Sequence, residues 1–125
     1  AESASPHDVV ATLNQFFTAM TGQVRAHGGF VDKFIGDALL VVFGLFDDAP
    51  DHGAAAALRC AAEMITELER LNQERRTRGQ MPLAVAGTVH SGEVVAGTIG
   101  ARDRHEFTVV GDSVNVAARL QETCK

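Results

Sequence analysis

Residues 28–44 read GGFVDKFIGDALLVVFG, and this stretch decides the fold of the chain. Two apolar segments flank a tight turn at residues 35–38, so the pattern predicts a β-hairpin. Six apolar residues, 38–43, follow the turn, and the second strand is therefore expected to be buried on most of both faces. Asp37 lies at the tip, where an ionised carboxylate beside a hydrophobic sheet is costly unless it is paired or bound to a cation. Asp37 is thus a candidate ligand of a divalent metal, with turn geometry alone as the alternative role.

A helix-start signature precedes the hairpin. Ser5 can cap a helix, Pro6 fits the first helical position, and Asp8 stands where a capping box places a carboxylate. Apolar residues then recur at helical spacing and predict a first helix that ends before Gly28. This stripe consists of Val9, Leu13, Phe16, Phe17, Met20 and Val24.

Four further elements are predicted downstream. An acidic loop at residues 47–51 suits the N-terminus of a second helix over residues 52–78. The stripe of that helix that should face the core consists of Ala54, Leu58, Ala61, Ile65 and Leu68. Two strands are predicted at residues 83–89 and 93–99, with residues 107–110 as a short strand or an extension. A last helix over residues 114–122 completes the order α, β, β, α, β, β, α.

The composition of the 125 residues is that of one domain, and 46% apolar residues are enough to build a core. The net charge of −5 argues against a nucleic-acid partner, so a bound anion must meet a few local cations. Cys60 and Cys124 lack metal-ligand spacing and are interpreted as unpaired thiols of a reducing compartment. The sequence has neither a membrane-spanning apolar run nor a signal peptide, so we expect membrane attachment only through flanking segments.

Three other polar residues are candidates for chemistry. Lys33 lies four positions before Asp37, and an even offset on a strand places both side chains on one face. Lys33 meets an acceptor group of a substrate, or it is a solvated lysine, or it is paired with Asp37. Asn115 and Arg119 project together from the last helix among apolar and small neighbours, so both are expected to be half-buried. An arginine there offers a fork for a phosphate or a developing oxyanion, the alternative being an internal pair with a carboxylate such as Glu122.

Four segments together resemble the catalytic domain of class III nucleotide cyclases: KFIGDALLVVFG, HSGEVVAGTIG, FTVVGDSVNVAARLQ and the first-helix phrase LNQFFTAM. The resemblance extends over essentially the whole chain. It implies an α/β (α+β) fold with a ferredoxin-like βαββαβ core that works as a head-to-tail homodimer with shared nucleotide sites. Such a domain converts a nucleoside triphosphate to the 3′,5′-cyclic monophosphate and pyrophosphate. Residues 1–125 are accordingly expected to be one partial catalytic domain.

The resemblance also implies roles for individual residues. Asp37 resembles the second of two aspartates that bind two divalent ions, Mg²⁺ or Mn²⁺. Lys33 resembles the lysine that reads the purine edge and favours adenine, and Thr108 occupies the other purine-reading position. Asn115 resembles the residue that orients the ribose, and Arg119 resembles the one that stabilises the transition-state phosphate. Lys33, Asn115 and Arg119 would serve the site whose metals the other subunit holds.

Thr108 departs from the commonest pattern, since adenylyl cyclases usually carry Asp at this position. The lysine–threonine pair resembles the class IIIb subgroup, which is often responsive to bicarbonate. A hydroxyl can both accept and donate, so it discriminates less sharply than a carboxylate. Guanylyl cyclases generally carry Glu and Cys at these two positions, and ATP is therefore the expected substrate.

The chain is also expected to be cut at both ends. The first strand of the core, with the first metal aspartate, would precede residue 1, and the C-terminal strands, which often hold a phosphate-binding lysine, would follow residue 125. The 125 residues alone are therefore expected to be inactive.

The leading interpretation is the catalytic domain of a cytoplasmic adenylyl cyclase. The alternatives are a degenerate cyclase-like domain that binds nucleotide or a partner without catalysis, a guanylyl cyclase, and a plain ferredoxin-like interaction module. Isothermal titration with an ATP analogue and Mn²⁺ separates the last of these, because an interaction module predicts no heat.

Overall fold

The computed structural model describes residues 5–123, apart from the side chains of His105 and residues 121–123. Helices alternate with two small antiparallel sheets, β1–β2 and β3–β4, so the predicted α/β class is confirmed. The elements are α1 Pro6–Ala26, β1 Phe30–Ile35, β2 Ala38–Val42, α2 Ala54–Thr77, β3 Val95–Ala101, β4 Arg104–Val110 and α3 Asp112–Thr123. Within the described residues, no helix combines the length and the apolar character that crossing a bilayer requires.

The first helix begins with the predicted capping box. The backbone N–H of Asp8 donates to Ser5 Oγ at 3.1 Å, and the N–H of Ser5 donates to the Asp8 carboxylate at 3.4 Å. Such a cap contributes about 1 kcal/mol to helix stability. The apolar stripe of α1 is buried towards its C-terminal end, at Met20 and Val24, whereas Val9 is 48% exposed.

The predicted hairpin is confirmed, because β1 pairs antiparallel with β2 around a turn in which Gly36 has a φ of 61°. The left-handed backbone at Gly36 is accessible to glycine without a steric penalty. The expected burial of the second strand is wrong: Ala38 is exposed and the rest of β2 is only half-buried. Among the described strands β2 pairs with β1 alone, so one of its edges and part of its faces lack a cover.

The acidic loop before α2 serves the helix N-terminus as predicted. The carboxylate of Asp51 accepts hydrogen bonds from the backbone N–H groups of Ala55 at 2.9 Å and Gly53 at 3.1 Å. These bonds favour the ionised form and hold the pKa of Asp51 below its ordinary value. Gly53 and Gly44 also cross so closely that a Cβ on Gly44 would collide with the carbonyl oxygen of His52.

The expected core face of α2 is partly wrong. Leu58 and Ile65 are 60% and 62% exposed, whereas Cys60 and Leu71 are buried. The helix carries apolar residues on two faces, and helical periodicity alone does not say which of them meets α1. Cys60 is a buried free thiol whose pKa is raised by desolvation, and Cys124 lies outside the described residues.

The strand predicted at residues 83–89 is wrong, because residues 80–94 form neither helix nor strand. A strand requires a partner along its backbone, and the two described β-ladders, β1–β2 and β3–β4, do not include this segment. At Leu83 the side chain of Asn72 replaces a neighbouring strand as the backbone partner. Asn72 Nδ2 donates to the Leu83 carbonyl at 2.9 Å, and the Leu83 N–H donates to Asn72 Oδ1 at 2.7 Å. The strand predicted at residues 93–99 is found as β3, shifted towards the C-terminus, and β4 extends the short strand predicted at residues 107–110.

Two packing centres connect the elements. Arg75 on α2 is buried and donates to the Met81 carbonyl at 2.7 Å and to Gln15 Oε1 on α1 at 3.0 Å. On the other side, the ring of Phe30 in β1 contacts the ring of Phe107 in β4, with centroids 5.7 Å apart. Strands β1 and β4 are therefore neighbours, and this brings the first hairpin against the second.

Candidate functional site

The centre of the candidate site is an irregularity in β1. Val31 pairs with Val41 and Lys33 pairs with Leu40, so Asp32 is an extra residue that has no partner on β2. An extra residue of this kind is a β-bulge, which redirects side chains and often lies beside a functional site. Regular alternation would send Asp32 and Lys33 to opposite faces, but here the Lys33 ammonium lies 3.8 Å from Asp32 Oδ2. The bulge therefore brings both charges to one side.

Asp32 also joins the two hairpins. Thr108, in the middle of β4, donates its hydroxyl hydrogen to Asp32 Oδ2 at 2.8 Å. The side chain of Asp32 is fully buried, and Thr108 is only 6% exposed. Lys33 keeps 37% of its side chain exposed, so its ammonium is reachable from solvent. The structure thus brings the two predicted purine-reading residues, Lys33 and Thr108, to a single carboxylate.

The second oxygen of that carboxylate receives no hydrogen bond from the residues that the structure describes. Asp32 Oδ1 is buried, and no described residue donates to it. An unpaired buried carboxylate oxygen costs roughly 1–3 kcal/mol or more, so a chain optimised for stability alone would not be expected to keep it. The arrangement is therefore more readily explained by a role of Asp32 towards Lys33 and Thr108 than by packing.

Asp37 lies at the exposed turn of the first hairpin, as predicted. Among the described residues its carboxylate has neither a hydrogen-bond donor nor an ion-pair partner, so it does not bond its own turn. The alternative pairing of Lys33 with Asp37 is not found, since Lys33 pairs with Asp32 instead. The even-offset argument fails because β1 ends at Ile35, and strand alternation does not extend through the turn.

Asn115 and Arg119 lie on α3 at the predicted spacing. Both are exposed, so the expectation that they are half-buried is wrong. The small residue between them, Ala117, is half-buried and its carbonyl accepts from Thr88 Oγ1 at 3.3 Å, so the helix turns a different face to the protein. Arg119 has no ion pair among the side chains that the structure describes, and the alternative partner Glu122 lies outside them.

The residues fit a divalent cation at Asp37. Magnesium typically takes one or two carboxylates and completes its octahedron with water and substrate phosphates. Asp37 is exposed and has no competing partner in the described structure. No group of three or more His, Cys, Asp or Glu side chains in the described part of the chain can hold a metal by itself. Asp37 therefore fits as one ligand of an ion that is also bound by a substrate.

A cavity of about 530 Å³ lies elsewhere, between β3, β4 and the start of α3. It is lined by Glu93, Val94, Val95, Val110, Gly111, Asp112 and Ser113, and none of the five predicted site residues is among them. Two carboxylates in its wall repel a polyphosphate, so the cavity suits a nucleotide poorly. The cluster of Lys33, Asp32 and Thr108 remains the better candidate, because its lysine is partly exposed and can meet an anionic or accepting ligand.

Asp32 is a candidate site residue that the sequence reasoning missed, and its contacts with Lys33 and Thr108 identify it. The sequence makes its neighbour Lys33 a candidate, whereas regular strand alternation would place Asp32 on the opposite face. The signal available in the sequence was an Asp–Lys dipeptide inside an otherwise apolar strand. A bulge is what makes those two adjacent side chains meet, and nothing in the dipeptide itself encodes a bulge.

A family model described as the adenylate and guanylate cyclase catalytic domain matches residues 1–125. An uncharacterized protein of Mycobacterium tuberculosis is 41% identical over 126 residues, and the match covers 98% of this chain and 21% of that protein. The chain thus spans about a fifth of the length of such curated relatives.

Two solved structures are similar over nearly the whole chain. The crystal structure of the guanylyl cyclase Cya2 has a TM-score of 0.85 and 35% identity, with 99% of this chain and 62% of that chain covered. The adenylyl cyclase CyaB from P. aeruginosa has a TM-score of 0.84 and 26% identity, with 99% and 64% covered. Relatives with either substrate in their names therefore share this fold, and the chain is shorter than both.

Proposed function

The chain belongs to the family of adenylate and guanylate cyclase catalytic domains, and from this premise we propose that it is part of an adenylyl cyclase. In this proposal ATP is converted to 3′,5′-cyclic AMP and pyrophosphate at sites shared between the two subunits of a homodimer. The observation that carries the choice of ATP is the convergence of Lys33 and Thr108 on one buried carboxylate.

The base is read by a donor and a hydroxyl. Lys33 can only donate hydrogen bonds, which suits a ring nitrogen of adenine, and Thr108 lies beside it with an oxygen that can accept from the 6-amino group. The pair differs from the Glu and Cys that guanylyl cyclases generally carry at these positions. Guanylyl cyclase activity remains the second candidate, since a guanylyl cyclase is among the similar structures.

The ribose and the phosphates are assigned to α3. Asn115 orients the ribose through its amide, and Arg119 meets the charge that develops on the α-phosphate during attack by the 3′ oxygen. Both side chains are exposed, which suits groups that act on a substrate bound across a subunit interface. A preorganised donor of this kind typically contributes a factor of about 10²–10³ in rate.

Asp37 is proposed to hold divalent cations, Mg²⁺ or Mn²⁺, together with the substrate phosphates. Two such ions, when bound, would stabilise the attacking and leaving oxygens of an in-line displacement. The contribution of this chain is a carboxylate held at a tight turn, where the left-handed Gly36 fixes the backbone beside it. Asp37 and Arg119 are proposed to serve different sites of the dimer.

The proposed location is the cytoplasm, where ATP is abundant and the buried Cys60 would stay reduced. A membrane, if one is involved, would be reached through other segments of the longer protein. A nucleic-acid partner is not proposed, because the net charge is −5.

The test is a substrate comparison with the full-length protein. Cyclic AMP and cyclic GMP are quantified by mass spectrometry after incubation with ATP or GTP and either Mg²⁺ or Mn²⁺. A higher kcat/KM for ATP supports the proposal, and a higher value for GTP favours the second candidate. Nucleotide binding without either product would identify a degenerate domain.

A further inference from the structure

We propose that Asp32 fixes the direction of the Thr108 hydroxyl, and thereby makes the base-reading site select an amine over a carbonyl. This inference rests on the proposed adenylyl cyclase function and names the residue that gives it substrate specificity. Asp32 would be a positioning residue, since it is fully buried and would act on the substrate only through Thr108.

The argument begins with the polarity of one hydrogen bond. A threonine hydroxyl has one hydrogen and two lone pairs, so it normally adapts to a donor or to an acceptor. Thr108 gives its hydrogen to Asp32 Oδ2 at 2.8 Å, and a carboxylate can only accept. With the hydrogen committed, the oxygen of Thr108 can offer only lone pairs to a ligand.

The neighbouring Lys33 has the opposite and equally fixed polarity. An ammonium only donates, and it lies 3.8 Å from Asp32 Oδ2, the same oxygen that accepts from Thr108. The site thus presents a donor next to an acceptor. The edge of adenine presents the complementary pair, an accepting ring nitrogen and a donating 6-amino group. Guanine presents the inverse pair in the same pose, and an oxygen facing the oxygen of Thr108 is repelled.

The β1 bulge and the burial of Thr108 keep the Thr108 hydroxyl hydrogen on Asp32. Asp32 is the extra residue of the β1 bulge, and only this irregularity lets it reach Thr108 while its neighbour Lys33 stays on the same side. Thr108 is 6% exposed, so water competes poorly for its hydrogen. No described residue donates to Asp32 Oδ1, so loss of the bond from Thr108 would leave both oxygens of a buried carboxylate without a hydrogen-bond donor from the described residues.

The experiment compares kcat/KM for ATP and for GTP in the full-length protein and in two variants. Asp32→Asn keeps the shape, but its amide can donate to Thr108 and free the hydroxyl hydrogen to face a carbonyl. Asp32→Ala removes the acceptor altogether. We expect the ratio of kcat/KM for ATP to that for GTP to fall by about 10- to 100-fold in both variants, mainly through KM. The reason is that the Thr108 oxygen no longer has to face the 6-carbonyl oxygen of guanine without a hydrogen between them. Thermal melts monitored by circular dichroism check the fold of each variant.

Two controls separate positioning from structure. Thr108→Ser retains a hydroxyl that can donate to Asp32, and it should keep the ATP-to-GTP ratio within about threefold. Thr108→Val should lower the ratio in the wild-type background and change it little in the Asp32→Asn background, because the two residues act in series. A purely structural role of Asp32 would lower both activities equally, and the effects of the two substitutions would then add.

The outcomes distinguish this inference from the proposed function. A wild-type protein that does not prefer ATP overturns the proposed function, and the inference with it. A wild-type protein that prefers ATP, together with an unchanged ratio in folded Asp32 variants, overturns the inference alone. Should neither variant fold, the test is to compare kcat/KM of the wild-type protein for inosine triphosphate and for purine riboside triphosphate. The 6-carbonyl compound must be the worse of the two, and an equal or better inosine compound refutes a fixed hydroxyl.

Discussion

The sharpest test of the shared-site proposal is a mixture of two inactive variants, Asp37→Ala and Arg119→Ala. Both side chains are exposed and neither has an ion pair among the described side chains, so each substitution should change stability by less than about 0.5 kcal/mol. Any loss of activity is then caused by a lost role in catalysis and not by unfolding. We expect Arg119→Ala to lower kcat by about 10²–10³, because a donor to the developing charge is removed. Asp37→Ala should abolish cyclic AMP formation, because the proposed metal ligand is lost.

Mixing the variants should restore activity if each site combines Asp37 of one subunit with Arg119 of the other. Random reassociation at equal concentrations makes about half of the dimers heterodimers, by the symmetry of pairing. Each heterodimer then carries one intact site and one doubly damaged site. The recovered activity should therefore be about a quarter of that of the wild-type protein, since half of the dimers have half of their sites.

The assay is cyclic AMP formation by the full-length variants after subunits are exchanged in mild denaturant and refolded together. The second hairpin supplies matched controls, since Arg102 and Asp103 form its exposed turn. Arg102→Ala and Asp103→Ala change the same residue types and should keep wild-type activity. Recovery no greater than the sum of the separate variants would refute shared sites, and near-normal turnover of Asp37→Ala with Mn²⁺ would refute its metal role.

Three further predictions concern the fold that supports the site. Asn72→Leu should lower the free energy of unfolding in urea by about 2–4 kcal/mol, because it unpairs both backbone groups of Leu83; a change below about 0.5 kcal/mol contradicts this role. Asp51→Asn should destabilise the protein at neutral pH. The pKa of Asp51 is lowered in the folded state, so its contribution to stability is present above the ordinary aspartate value near 3.8 and is lost as the pH falls below that value. A difference in melting temperature between Asp51→Asn and wild type that does not shrink below about pH 4 contradicts this role of Asp51. Gly44→Ala should cost about 1–3 kcal/mol in backbone strain at a φ of 79°, before its collision with His52 is counted; an unchanged melting temperature would show that the crossing of Gly44 and Gly53 is not tight.

Local chemistry accounts for the elements that were predicted correctly. The capping box at Ser5 and Asp8, the hairpin around Gly36 and the cap by Asp51 each depend on residues a few positions apart. Such contacts form whatever the rest of the chain does, so the sequence is sufficient to identify them. Four of the five candidate site residues, Lys33, Asp37, Asn115 and Arg119, follow from local patterns and Thr108 follows from the family resemblance, and the roles of all five stay predictions.

The errors arose where a distant partner decides the outcome. Residues 83–89 have the composition of a strand, but the Asn72 side chain rather than a strand pairs with Leu83. Apolar residues on two faces of α2 left its core side ambiguous, and the packing chose Cys60 and Leu71 over Leu58. Periodicity shows that a residue can be buried, but not which neighbour covers it.

By itself the sequence determined the three helices, the first hairpin with Asp37 at its tip and the family resemblance, because each depends on residues that are close together in the chain. Only the tertiary structure decided that Asp32 meets Thr108, since those residues are 76 positions apart and lie on different hairpins. A bulge in one strand and the contact of β1 with β4 are both needed for that meeting. Neither leaves a local signature, because the free energy of each depends on packing between segments that are distant in the chain.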